Sequence, residues 1–96
     1  MEAMLSDPQA LGIYSIYDSK ADSYLQPFFS PTDATAIRAV SDVVRDSSHQ
    51  FAKFAEDYTL FLVGLWDETS GALTAVAPKH LVGLWTLKAA LKNGVE

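Results

Sequence analysis

Two tyrosines and four cations between Tyr17 and Lys53 are the residues best suited to chemistry. Tyr17 and Tyr24 lie among charged residues, which favours their exposure over the other rings of this aromatic stretch. Exposed rings stack on nucleic-acid bases, while lysine and arginine side chains contact phosphates, so the combination is typical of nucleic-acid binding. The structural alternative is that the rings between Tyr14 and Phe29 build the core of a small domain. The candidate binding residues are Lys20, Arg38, Arg45 and Lys53 for phosphates, with Tyr17 and Tyr24 for bases.

The net charge of the chain works against a nucleic-acid partner. The chain has 7 lysine and arginine residues and 12 aspartate and glutamate residues, for a formal net charge of −5. Such a chain repels a polyanion unless its cations gather on one face, within one chain or across a dimer. Lys79, Lys88 and Lys92 could form a separate basic edge, or serve only the dipole of a C-terminal helix. The alternative hypothesis is a protein-binding adaptor that uses an acidic face, composed of Asp42, Asp46, Glu56, Asp57, Asp67 and Glu68.

Enzymatic chemistry has little support in the residue pattern. Ser47-Ser48-His49 is the only local cluster that offers both a hydroxyl and an imidazole, and in a polar loop such a cluster is usually a turn with a solvated histidine. The pairs Asp18/Asp22 and Asp42/Asp46 could supply carboxylates for a metal, although the second pair lies beside arginines and favours a salt-bridged surface. The chain has no cysteine and only two histidines. We therefore expect no enzyme, no cofactor and no metal site.

The elements that would position these residues begin with two extended segments and a helix. Leu11–Asp18 alternates in a way that predicts a strand with apolar side chains on both faces. Tyr24–Phe29 predicts an extended segment, which Pro27 confines to a sheet edge or a loop because proline has no N–H to donate. A helix from Pro31 to about Asp46 is predicted next, with Ser30 as its N-cap.

The second half of the chain predicts a hairpin followed by another helix. Phe51–Glu56 is expected to be a short connector that holds Phe51 and Phe54 against the core. Asp57–Trp66 is the strongest strand signal and is apolar on both faces, which indicates a central strand or a subunit interface. Asp67–Gly71 forms a turn, and Ala72–Val76 returns as the partner strand. A helix starting at Pro78 and stopping at Asn93-Gly94 would place on one face Leu81, Leu84, Trp85, Lys88 and Leu91.

The length of 96 residues, with 49% hydrophobic residues, fits a single core. We predict one small α+β domain at residues 11–96, with an antiparallel sheet of three to four strands and two helices, preceded by a flexible lead-in at residues 1–10. The longest apolar run, Leu60–Trp66, is too short for a membrane span, and the acidic N-terminus does not fit a signal peptide. These features predict a cytosolic protein without membrane contact. The two-faced strand also predicts a homodimer.

Four sequence blocks, taken in order and with their spacing, resemble a known family. They are YSIYDSKADSYLQPFF (Tyr14 to Phe29), AIRAVSD (Ala36 to Asp42), HQFAKFAEDYTLFLVG (His49 to Gly64) and WDETSGAL (Trp66 to Leu73). Over Gly12 to Pro78 the chain is similar to the small nonstructural protein of gokushovirus-type microviruses, which are tailless phages with single-stranded DNA. The resemblance implies an accessory role in the host cytoplasm, usually described as DNA binding during genome replication or the switch to single-strand synthesis and packaging.

The resemblance also bears on the candidate site. The basic residues that match the family's blocks are Lys20, Arg38 and Lys53, although Arg38 could instead only pair with Asp42. Members of this family generally end near a short Pro-x-x-Leu-Gly tail, whereas this chain continues from Leu84 to Glu96. The expected partners are single-stranded DNA, a second copy of the chain, and a phage or host replication or capsid protein. Four phosphate contacts would give a slope near −3 for log affinity against log salt.

Overall fold

Five strands and three α-helices make up the part of the chain that the computed structural model describes, residues 10–92. In order they are β1 (Ala10–Asp18), β2 (Ser23–Tyr24), β3 (Phe28–Ser30), α1 (Asp33–Val44), α2 (Gln50–Lys53), a 3₁₀ helix (Ala55–Asp57), β4 (Tyr58–Asp67), β5 (Leu73–Gly83) and α3 (Leu84–Lys92). The predicted α+β class with an antiparallel sheet is confirmed, with one more strand and one more helix than expected. Ala10 is the first residue of β1. The rest of the predicted lead-in and the predicted stop at Asn93-Gly94 lie outside the described residues.

The sheet is built around β1 and β4. Its strands follow the order β2-β1-β4-β5, and β3 pairs with the same edge of β1 as β2 does. Residues 25–27 interrupt this edge, where the Leu25 N–H donates to the Ile16 carbonyl (2.8 Å) and Pro27 lies between the two short strands. The edge position predicted for Pro27 is therefore confirmed. β4 pairs with β1 on one side and β5 on the other, which confirms the prediction of a central strand.

All three helices contribute to a core on one face of the sheet. Buried side chains from β1 and β4 meet α1 and the first residue of α3 there: Tyr14, Ile16, Tyr58, Leu60, Ala36, Val40, Val44 and Leu84. Burial of these side chains supplies the main free energy that holds the helices to the sheet. No element within residues 10–92 covers the opposite face of the sheet, so this part of the chain forms two layers, one of helices and one of strands.

Tyr14 ties three elements together at the edge of the core. Its hydroxyl donates to Asp33 Oδ1 (2.7 Å) at the start of α1, and Asp33 Oδ2 lies 3.4 Å from the Lys79 Nζ on β5. The ring reaches Asp33 by passing over Gly12, where an added Cβ would lie 2.5 Å from the tyrosine hydroxyl. Burial, together with the hydrogen bond to Asp33, raises the pKa of Tyr14 well above its ordinary value.

The start of α1 and the position of Phe54 differ from the predictions. The N-cap is Thr32, whose Oγ1 accepts from the Thr35 N–H (3.0 Å), and the helix spans Asp33–Val44. Ser30 cannot cap the helix because its backbone pairs with Gly12 as the last residue of β3. Phe54 was expected to contact the core, but it is 52% exposed.

The largest error concerns the segment after the β4–β5 turn. The turn itself is confirmed, with Gly71 at φ 76° and its N–H donating to the Asp67 carbonyl (2.7 Å). The return strand continues to Gly83, however, and Pro78 lies within it rather than opening a helix. The ten-residue β4 offers backbone partners as far as Thr59, which pairs with Gly83, and β5 is an edge strand that tolerates proline. α3 therefore begins only at Leu84.

Candidate nucleic-acid interface

The residues proposed to contact nucleic acid divide between two layers of the molecule. Tyr17 and Tyr24 lie on the uncovered side of the sheet, where their rings are 4.9 Å apart. Arg38, Arg45 and Lys53 lie on the helices or at their ends, on the other side of the sheet. The structure thus separates the predicted base-stacking residues from most of the predicted phosphate contacts.

The uncovered side of the sheet carries two groups of aromatic rings, and we call it the open face. In the first group, Phe61 lies 5.7 Å from the Tyr24 ring and 5.8 Å from His80. In the second group, the Phe29 and Trp66 rings are 5.4 Å apart. Strand alternation and the register place on this face Leu11, Ile13, Ser15, Tyr17, Tyr24, Phe29, Thr59, Phe61, Trp66, Leu73, Ala75 and His80. Between the rings, a shallow depression of about 280 Å³ is lined by Tyr24, Pro27, Val63 and Pro78, among others.

The β1–β2 turn places Lys20 at one end of the sheet. Asp18 Oδ1 accepts from the Lys20 N–H (2.9 Å), and Asp22 adopts a positive φ of 55°. The Tyr17 hydroxyl donates to the Asp22 carboxylate, and this hydrogen bond raises the pKa of Tyr17. The Ser19 N–H donates to the Asp57 carbonyl (2.9 Å), so the turn abuts the 3₁₀ helix. Lys20 is exposed at this corner.

On the helical side, three cations from three separate elements line one groove of about 460 Å³, which we call the basic groove. Arg45 comes from the C-cap of α1, Lys53 from the end of α2, and Lys88 from the middle of α3. The remaining lining residues are Val44, Ser47, Ala52 and Leu91, which supply an apolar floor and one hydroxyl. A groove with this lining can hold an anionic group that also has an apolar part.

Lys88 is held in place at the groove by two contacts. Its Nζ donates to the Ala52 carbonyl (2.8 Å) and lies 5.8 Å from the centroid of the Trp85 ring. An ammonium at this distance from an indole face gains a cation–π attraction. Trp85 is 49% exposed, so the groove has a large aromatic ring at its margin. This pairing of lysine and tryptophan offers both phosphate contact and base stacking at one place.

Charge around the basic groove is partly balanced by α1. Asp42 Oδ1 lies 3.6 Å from Arg45 Nε, three residues further along the helix. The sequence alone suggests Arg38, four residues before Asp42, as the partner of this carboxylate. Asp46 accepts from both the hydroxyl (2.6 Å) and the N–H (3.0 Å) of Ser48. These two hydrogen bonds lower the pKa of Asp46. Both carboxylates are exposed, so they leave the groove with a modest excess of positive charge.

Ser48 and His49, the residues considered for catalysis, have local structural roles. Ser48 Oγ donates to Asp46, and His49 Nδ1 accepts from the Phe51 N–H (3.0 Å) as the N-cap of α2. The histidine ring also packs against Phe51, with centroids 4.8 Å apart. Within residues 10–92, the structure contains no group of three or more histidine, aspartate or glutamate side chains arranged to hold a metal ion.

The acidic residues proposed for protein binding do not share one face. Glu56 and Asp57 lie in the 3₁₀ helix before β4, whereas Asp67 and Glu68 lie at the opposite end of that strand. A ten-residue strand separates the two pairs by roughly 30 Å. Asp42 and Asp46 lie at the C-terminal end of α1, so the six carboxylates form at least two groups.

Sequence reasoning missed the role of α3 in the basic groove. With a helix starting at Pro78, the sequence pattern places Trp85 on the apolar face, and Lys88 either forms a basic edge with Lys79 and Lys92 or serves the helix dipole. The pair was visible as a tryptophan and a lysine three residues apart, which become neighbours on a helix surface. What the pattern could not show is that α3 packs next to α1 and α2, because this depends on the length of β5.

Comparison with known proteins identifies the family. A family model described as phage ORF5 protein matches residues 11–88, from the second residue of β1 to the middle of α3. No curated protein and no solved structure matches the chain. The match spans most of the sequence and includes the open face and all residues that line the basic groove except Leu91. The chain therefore belongs to the phage ORF5 protein family.

Proposed function

We propose that this phage protein binds single-stranded DNA along the basic groove. The observation that carries the proposal is the convergence of Arg45, Lys53 and Lys88 on one groove with Trp85 at its margin. Cations from three elements meet there although the chain as a whole has a net charge of −5. Local concentration of charge of this kind is what an acidic protein needs in order to bind a polyanion.

The geometry supports single strands over duplex DNA. A single strand exposes its bases, and an exposed tryptophan beside lysines can stack on one base while the lysines contact the flanking phosphates. In this arrangement Arg38, two turns before Arg45 on α1, extends the path of positive charge. Lys20, in the turn that abuts the 3₁₀ helix, is not among the residues that line the groove and contributes less.

The role in the phage follows the family resemblance. We place the protein in the host cytoplasm as a nonstructural accessory factor of a microvirus of the gokushovirus type. Binding would act during genome replication or at the switch from duplex replication to single-strand synthesis and packaging. The alternative location for the DNA is the Tyr17–Tyr24 pair on the open face, which the sequence predicts as the stacking residues.

Salt dependence distinguishes these two sites. Each phosphate contact to a single strand contributes about 0.7 to the slope of log affinity against log salt. Contacts from Arg38, Arg45, Lys53 and Lys88 predict a slope near −3, whereas the open face, with Lys20 at its corner, predicts a slope near −1. Fluorescence anisotropy of a labelled oligonucleotide over a salt series measures this slope directly.

Single substitutions complete the experiment. Lys53→Ala should weaken DNA binding and make the salt slope shallower. The control is Lys79→Ala, which removes an exposed lysine that is paired with Asp33 outside the groove. The control should leave the affinity and the slope unchanged. A Trp85→Leu variant should weaken binding without changing the slope, because stacking involves no counterion release. If no DNA binds even at low salt, the proposal fails and an acidic protein-binding adaptor becomes the better hypothesis.

A further inference from the structure

We infer that the open face is the contact surface between two copies of this chain. The inference goes beyond the DNA-binding proposal and does not depend on it, because the open face and the basic groove lie on opposite layers. It is carried by three properties of the open face: its lack of charge, its aromatic composition and its area.

Charge is nearly absent from the open face. Within residues 10–92, the outward strand positions on this side of the sheet carry no aspartate, glutamate, lysine or arginine. Lys79, which precedes His80 on β5, points to the other side and pairs with Asp33. The Asp22 carboxylate in the β1–β2 turn lies at the margin of the open face, where it accepts from the Tyr17 hydroxyl. His80, Ser15 and Thr59 are the polar exceptions among these positions. A polyanion or an acidic protein finds no electrostatic partner here. A second uncharged face can pack against this one without burying an unpaired charge.

The exposed side chains are those that dominate interfaces between identical subunits. Tyr24 is 45% exposed and Phe29 is 50% exposed, although both lie on strands of the sheet. Tyrosine, phenylalanine and tryptophan are enriched in protein interfaces, and subunit interfaces are depleted in charged residues at their centre. Rings that remain this exposed in one copy could bury much of their surface against the same rings of another.

The area of the face is sufficient for a dimer. The sheet is four strands wide, at about 4.8 Å per strand, and its strands are about nine residues long. These dimensions give the face a projected area of roughly 500 Å². Two such faces together bury about 1,000 Å², near the lower limit for a specific interface. A two-fold axis lying between the two open faces and parallel to them would stack the sheets about 10 Å apart and direct both basic grooves outward. We therefore expect a dimer that dissociates on dilution and presents two grooves.

Sedimentation velocity over a range of protein concentrations tests this inference without DNA. The wild-type chain should shift from monomer to dimer as its concentration rises. Phe29→Lys should raise the dimer dissociation constant at least about tenfold, because it places an unpaired charge inside the interface. The matched control is Phe54→Lys, which introduces the same charge at a phenylalanine of similar exposure, 52%, on the helical side. The control should leave the dissociation constant unchanged.

Tryptophan fluorescence supplies a second measurement that needs no destabilising variant. The chain has two tryptophans, Trp66 on the open face and Trp85 beside the basic groove. In a Trp85→Phe variant, the remaining emission comes from Trp66 and should shift to shorter wavelength as the protein concentrates.

Three results would overturn the inference. The first is a monomer at every concentration. The second is a dimer that Phe54→Lys disrupts and Phe29→Lys does not. The third is quenching of Trp66 by single-stranded DNA in a monomeric protein, which would show that bases occupy the open face.

Discussion

The open face and the basic groove belong to the same small protein but have opposite chemistry. The open face is broad, aromatic and without ionised side chains at its outward strand positions within residues 10–92. The basic groove is narrow and is lined by three cations above an apolar floor. The first suits another uncharged protein surface and the second suits an anion, so the two faces fit different partners.

This difference shows how little the net charge says about a partner. A value of −5 describes neither surface, because most of the carboxylates lie at the ends of the sheet or on α1. The sequence groups the stacking residues and the phosphate contacts into one site, but the structure places them on different surfaces. Tyr17 and Lys53 are both candidate binding residues, but they lie on opposite sides of the sheet.

The largest expected effect comes from removing the anchor of α3. Leu84 is fully buried, at 0% exposure, where β5 ends and the helix begins. Leu84→Ala should lower the free energy of unfolding by about 2–5 kcal/mol, because it leaves a cavity in the core. Urea denaturation followed by circular dichroism measures the loss.

The control for this variant is Leu73→Ala, at a leucine that is 70% exposed. It should change stability by less than about 0.5 kcal/mol at concentrations where the chain is monomeric. If Leu84→Ala retains full stability, α3 is not anchored through this residue.

The next effect separates the two surfaces by their response to charge removal. A triple variant, Arg45→Ala with Lys53→Ala and Lys88→Ala, should weaken single-stranded DNA binding roughly 100-fold at 0.1 M salt. Each lost contact contributes about fivefold at that salt concentration, given a slope of about 0.7 per phosphate. Anisotropy titration gives the affinity, and sedimentation should show an unchanged dimer. A loss of dimerisation together with DNA binding would contradict the separation of the two surfaces.

The fold was more predictable than the site, for a physical reason. The strands β1 and β4 and the β4–β5 turn have local patterns, such as the alternation in Leu11–Asp18 and the left-handed glycine at Gly71, that indicate their structure directly. The end of β5 has no such pattern, because its length is set by pairing with β4. The placement of Trp85 and Lys88 depends on that length, so the basic groove could not be assembled from the sequence.

Unfolding at alkaline pH tests whether the helices exclude solvent from the sheet face that they cover. Burial raises the pKa of both Tyr14 and Tyr58, so the folded state retains their protons above pH 10, where the unfolded chain loses them. Their contribution to stability is therefore fully present below about pH 10 and is lost as the pH rises further. As the pH rises through that range, each of the two tyrosines should cause the free energy of unfolding to fall by up to about 1.4 kcal/mol per pH unit.

Absorbance at 295 nm, measured alongside circular dichroism, follows this titration. The Tyr14 and Tyr58 signals should appear only as the protein unfolds, and Tyr14→Phe should make the unfolding curve less steep in pH. Titration of both residues in a fully folded protein would show that the helical layer does not exclude solvent from them.

The smallest expected effect concerns Lys20, which both the residue pattern and the family resemblance favoured as a binding residue. Its turn abuts the 3₁₀ helix, and its side chain is exposed at the corner between the two surfaces. If DNA follows the basic groove, Lys20→Ala should weaken binding by less than about fivefold, the value of one full phosphate contact at 0.1 M salt. If DNA instead crosses the open face, Lys20 is the nearest strong cation and its removal should abolish most of the salt dependence. Comparing the salt slopes of Lys20→Ala and Lys53→Ala therefore decides which layer of the sheet the DNA contacts.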